Sequence, residues 1–124
     1  MNLTASEHQE QAAFVDWLKL KGIRHYATPN GAYLGRDPVG RAIQMKKLKA
    51  EGFSPGVPDL VIPYRTSEYG GLFIEMKRKG GSKVSDEQKD WLAFLEGQQY
   101  FAQVCYSADE AITATMHYFK GVPK

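Results

Sequence analysis

Two acids and a lysine near the middle of the chain have the types and spacing for chemistry. Asp59 follows Pro58 at the head of the run Asp-Leu-Val-Ile-Pro-Tyr, and a second run, Leu-Phe-Ile-Glu-Met-Lys, carries Glu75 and Lys77. Residues two apart in a strand share a face, so Phe73, Glu75 and Lys77 point one way and Leu72, Ile74 and Met76 the other. If the two runs pair antiparallel through the turn at Gly70 and Gly71, Asp59 approaches the face that holds Glu75 and Lys77. Asp59 and Glu75 are then hard oxygen ligands for Mg²⁺ or Mn²⁺, ions that keep several waters and bind substrate phosphate. The backbone carbonyl of Met76, between the two side chains, is a further ligand. Such an ion acidifies a bound water and draws charge from phosphoryl oxygens. Lys77 can orient the attacking water and offset the developing charge. The chemistry is phosphodiester hydrolysis. The same letters also read as a Pro-Asp turn and an exposed edge strand with a surface ion pair.

Other reactive residues form no pattern of their own. His8, His25 and His117 lack zinc-type spacing. His25 precedes a glycine-rich loop that could approach nucleic acid, and a satisfied structural histidine is the plainer reading. The single Cys105 excludes an internal disulfide and a thiolate cluster, and reads as a small core residue in a reducing cytosol. Positive charge is clustered although the net charge is only +2. Arg36, Arg41, Lys46, Lys47 and Lys49 stand against Asp37, and Lys77, Arg78, Lys79 and Lys83 have no acid among them. Two such clusters can follow a phosphate backbone; they also suit solvated faces.

The elements that must position these residues read clearly. A chain of 124 residues, 43% hydrophobic and 24% charged, fits one soluble domain spanning residues 1–124. Its apolar runs are too short to cross a membrane, and its polar start does not resemble a signal peptide, so a cytoplasmic location is expected. Helices are predicted over residues 6–21, with Phe14, Leu18 and Trp17 inward, and over 39–51, basic and stopped by Gly52. Two more are predicted over 85–96, with Trp91, Leu92 and Leu95 on one face, and over 108–119. Strands are predicted at 23–27, 59–64, 72–77 and 100–106, and a turn-rich loop at 28–40. Helices interleaved with a small mixed sheet give an α/β domain.

With these elements in place, "GFSPGVPDLVI" followed by "GLFIEMKRKGGSKVSDEQKDWL" resembles the VRR-NUC domain of the PD-(D/E)xK nuclease superfamily, in its stand-alone bacterial or phage form. The likeness extends upstream to "EHQEQAAFVDWL" and "HYATPNGAYLGRDPVGRAIQMKKLKAEG". It implies a restriction-endonuclease-like core in which Asp59, Glu75 and Lys77 are the motif residues and Gln88 the glutamine on the following helix. An acid on the first helix is expected to complete the metal site. Glu7, which shares a stripe with Gln11, Phe14 and Leu18, is the first candidate and Glu10 the fallback. Thr4-x-x-Glu7 and Ser85-x-x-Gln88 also have the form of capping boxes, in which Glu7 and Gln88 would only bond a helix start.

The likeness further implies a Mg²⁺- or Mn²⁺-dependent DNA endonuclease acting on branched structures such as Holliday junctions, and a homodimer. Arg41, Lys46, Lys47, Arg78 and Lys79 are phosphate-contact candidates. Asn30 would line the DNA side, and Tyr33 could stack on an unpaired base. Cleavage of RNA, and a non-catalytic DNA-binding or assembly module on the same fold, are the alternatives.

Overall fold

The computed structural model describes residues 6–28, 37–81 and 83–121. In chain order these form α1 (Glu7–Leu20), β1 (Tyr26–Ala27), α2 (Pro38–Ala50), β2 (Leu60–Ile62), β3 (Leu72–Met76), α3 (Asp86–Gly97), β4 (Phe101–Cys105) and α4 (Ala108–Lys120). The sheet runs β1-β2-β3-β4, antiparallel except for the parallel pair β3–β4. That parallel pair needs a crossover, which α3 supplies.

Alternation along the strands sorts the two faces. Leu60, Ile62, Leu72, Ile74 and Met76 turn to one side and pack with Phe14 and Leu18 of α1 and Ala111, Ala114 and Tyr118 of α4. Val61 and Phe73 turn to the other, toward Trp91 and Leu95 of α3. The sheet is therefore sandwiched between α1 with α4 and α3. Each large apolar side chain fully buried in the first layer contributes about 1.5–3 kcal/mol relative to exposure. Cys105 lies in this core, where burial pushes its thiol up to about 12. Among the described residues, no helix is long and apolar enough to cross a membrane.

The helix ends follow local chemistry. Ser6, Asp37, Ser85 and Ser107 cap α1, α2, α3 and α4, each side chain accepting a backbone N–H of the first turn. Two expectations need correction. The capping box at the first helix is Ser6 with Gln9, and Thr4, the expected partner of Glu7, lies outside the described residues. The first strand is shorter than the predicted 23–27. Its early backbone is engaged elsewhere, with Ile23 N–H donating to Leu18 O and Arg24 N–H to the Tyr64 hydroxyl.

Candidate active site

The β2–β3 register pairs Leu60 with Ile74, so Asp59, one residue before β2, falls beside Glu75 and Met76. Gly71 and Lys77 spend their backbone groups on β4, which leaves those of Met76 facing the β2 side just where β2 has not yet begun. An unpaired N–H there would be costly. Asp59 Oδ2 accepts it at 2.7 Å. The aspartate thus takes the place of a ladder partner, and its backbone is fixed in turn. Thr28 N–H donates to Asp59 O at 2.9 Å and Thr28 Oγ1 to Pro58 O at 2.8 Å. Thr28 had no distinguishing signal in the sequence, because its role depends on β1 lying beside β2.

Glu75 is 3% exposed and Lys77 6%, which removes the reading of a surface pair on an edge strand. Lys77 Nζ lies 4.0 Å from Glu75 Oε2. Gln88 Nε2 donates to the same oxygen at 2.9 Å. Gln88 Oε1 meanwhile accepts Ser85 N–H, completing the capping box of α3. Capping and contact with Glu75 looked like rival roles in the sequence; the two ends of one amide perform both.

The two acids of α1 part company. Glu10 Oε1 accepts Ala108 N–H at 2.7 Å and so caps α4, where an anion also suits the helix dipole. Glu7, on the stripe that leads to Phe14 and Leu18, is close enough for its charge to act on both Asp59 and Glu75. Glu7 Oε1 and Glu75 Oε1 are buried without a hydrogen-bond partner.

Burial, then the neighbouring Asp59 charge, pushes the Glu75 carboxyl up from 4.5 to about 9. Burial raises Asp59 too, against the Met76 N–H that lowers it. The pair therefore keeps a proton at neutral pH, the two carboxyls lying close enough to shift one another. A cation is the other species that can relieve such a pair, and the two unpartnered oxygens leave room in the donor set for one. Among the described residues, no three His, Cys, Asp or Glu side chains form a ligand cluster. Two carboxylates and a carbonyl without a full cage are the donors of an ion that keeps most of its waters. The residues fit Mg²⁺ or a cation of its kind.

The other candidates lie farther out. Arg41, Lys46 and Lys47 are exposed on α2, a helix with no buried residue. Arg78 is half-buried and Lys79 exposed, directly after the Lys77 position. Asn30 and Tyr33 lie outside the described residues. His25 Nδ1 lies 2.9 Å from Ile23 O, a local structural contact.

An apolar cavity of about 430 Å³ opens on the sheet face shared by Glu75, between β1–β3, the end of α2 and α3. The sequence placed Trp91 and Leu95 on one helix face but offered nothing to bring them opposite Phe53 and Tyr26.

An α/β sandwich that buries a carboxylate pair against a lysine and a glutamine at the mouth of its central strands is the architecture of a nuclease-type domain. The VRR-NUC domain model matches residues 5–109, and the chain belongs to that family, within the PD-(D/E)xK group. A solved VRR-NUC domain protein superposes with a TM-score of 0.77 at 26% identity, covering 97% of each chain. No curated protein matches the chain.

Proposed function

We propose that this nuclease-type domain is a divalent-metal-dependent DNA endonuclease that hydrolyses phosphodiester bonds in branched DNA, such as flaps or Holliday junctions, and works as a homodimer. The observation that carries the reading is the buried Glu75, held by Gln88 and Lys77 beside Asp59, with acceptor oxygens left open. Asp59, Glu75 and the Met76 carbonyl would hold Mg²⁺ or Mn²⁺, with Glu7 adding negative charge from α1 and Glu10 left to its helix cap. When bound, the ion would lower the pKa of a coordinated water and neutralise charge on the phosphate.

The chain's own residues supply the rest. Gln88 Nε2 fixes Glu75 Oε2, so one oxygen is anchored and the other stays available. The Lys77 ammonium, shielded from solvent, orients the attacking water and offsets charge as the phosphate gains it. Asp59 cannot swing away without stranding the Met76 N–H. Arg41, Lys46, Lys47, Arg78 and Lys79 would contact phosphates, and Asn30 the DNA side. Without a recognition-helix motif, shape rather than base sequence is the selected feature. A two-fold dimer would present two such sites to one junction.

The test is a cleavage panel on linear duplex, flap, splayed-arm and four-way-junction DNA, with Mg²⁺ or Mn²⁺. Asp59→Ala and Glu75→Ala are expected to lower cleavage by roughly 10²–10³-fold or more, with circular dichroism unchanged, and Lys77→Ala to fall in the same range. Undiminished cleavage by both acid variants overturns the assignment. Junction binding without cleavage across several divalent metals would instead favour a non-catalytic module. Sedimentation at micromolar protein reads the dimer directly.

A further inference from the structure

Phe73 stands two residues before Glu75 on the same face of β3, and it opens onto the apolar cavity of about 430 Å³. Pro58, immediately before Asp59, forms part of the wall. Tyr26, Phe53, Phe73 and Trp91 give the space an aromatic lining, Leu48 and Leu95 add aliphatic wall, and Glu51 places one carboxylate in the lining. We infer that this cavity receives one unpaired nucleobase of the substrate strand, next to the phosphate bound at Asp59 and Glu75. The inference rests on the nuclease reading and adds the form in which the substrate enters.

Three observations point to a base. The first is position. Two residues along a strand span about 6.6 Å, the reach of one nucleotide from phosphate to base, so a phosphate at Glu75 puts its neighbouring base at Phe73.

The second is chemistry. Two of the aromatic rings are held in place: Trp91 Nε1 donates to Ser54 Oγ at 3.0 Å, and Phe73 meets Tyr100 edge-on at 5.2 Å between centroids. Fixed rings offer stacking surface to any base without reading its identity.

The third is charge. Leu48 of the wall lies on α2, and Arg41, two turns earlier on the same helix stripe, is exposed. Lys46, Lys47 and Lys49 extend the positive surface of that helix, which suits the backbone of a strand whose base is inside.

A base enters this space only if it has left its stack. Unstacking costs least where pairing is already interrupted, so the cavity itself selects flaps, splayed ends and junctions over uninterrupted duplex.

Two measurements test the assignment. In the first, wild-type protein with Mg²⁺ or Mn²⁺ is offered flap or junction DNA in which a single abasic nucleotide is moved through the positions flanking the cleaved bond. Loss of one particular base is expected to lower cleavage by roughly 5- to 150-fold, the range of base–aromatic stacking, with other positions near neutral. In the second, the fluorescence of Trp91 is followed in a Trp17→Phe, Glu75→Ala background. Single-stranded oligonucleotide is expected to quench it, and an abasic oligomer of equal length and charge is not. Normal cleavage with a flat abasic scan overturns the base pocket and leaves the nuclease reading standing. Base-dependent quenching without cleavage of any substrate by the wild type overturns the nuclease reading and supports the pocket. Equal quenching by both oligomers counts against the pocket alone.

Discussion

At the scale of single residues, the carboxyl pair makes metal and proton alternatives at one place. A raised Glu75 means that the folded chain holds a proton between about 4.5 and about 9, a window in which the unfolded chain has released it. By linkage this group's contribution to stability is full below the lower value and is lost as pH rises toward the upper one. Thermal melts of metal-free protein across that window are expected to fall with pH more steeply than those of Glu75→Gln, which cannot titrate. Added Mg²⁺ should act in the opposite sense, raising the melting temperature most at the alkaline end, where the pair is ionised. A wild-type slope no steeper than that of Glu75→Gln would contradict the shared-proton picture. Gln88 allows its two duties to be separated. Gln88→Glu keeps an acceptor for Ser85 N–H but sets a carboxylate oxygen against Glu75 Oε2. Cleavage is expected to drop roughly 10- to 100-fold with little change in melting temperature, whereas Ser85→Ala removes the cap alone at about 1 kcal/mol.

At the scale of elements, the site depends on how the loop before β2 lies on α3. Gly56 has φ +92°, and a Cβ there would come within 2.6 Å of the Glu87 backbone, so the loop approaches the helix as closely as a bare backbone permits. That approach ties the Pro58–Asp59 turn to the helix that carries Gln88. Gly56→Ala is expected to cost about 1–3 kcal/mol, to lower the melting temperature by several degrees and to depress cleavage with it. Gly97→Ala, where nothing lies within 4 Å of the added Cβ, serves as the neutral control. Most of this architecture was legible in the sequence. An apolar face marks the helices at 6–21 and 85–96, Gly52 marks the end of the basic helix at 39–51, and alternation marks β2 and β3 together with the face that Glu75 and Lys77 share. What was not legible depended on partners far along the chain. The diversion of residues 23–25 from strand pairing involves Tyr64, the assignment of Glu10 to a cap involves Ala108, and the aromatic cavity draws on five separate elements. No local pattern encodes such meetings.

At the scale of the whole molecule, charge and shape divide the work. The net charge of +2 is small, but the exposed cations of α2 gather on a helix that contributes nothing to the core, so they can be removed without disturbing the fold. In binding titrations of Glu75→Ala protein over a range of salt, each of Arg41→Ala, Lys46→Ala and Lys47→Ala is expected to reduce the log–log salt slope by about 1. Unchanged slopes would move the DNA path away from this helix.

The contact between Glu10 and Ala108 spans 98 residues, and it bears on when the molecule acquires its activity. In synthesis α1 precedes the sheet and α4, yet its buried stripe packs against α4 and the cap partner of Glu10 lies at the start of that helix. A nascent chain that has made only as much as Cys105 carries Asp59, Glu75, Lys77 and Gln88, and offers the helix bearing Glu7 the sheet but not the α4 half of its packing. Glu7 is thus held beside Asp59 and Glu75 by its full set of packing partners only once α4 has been made.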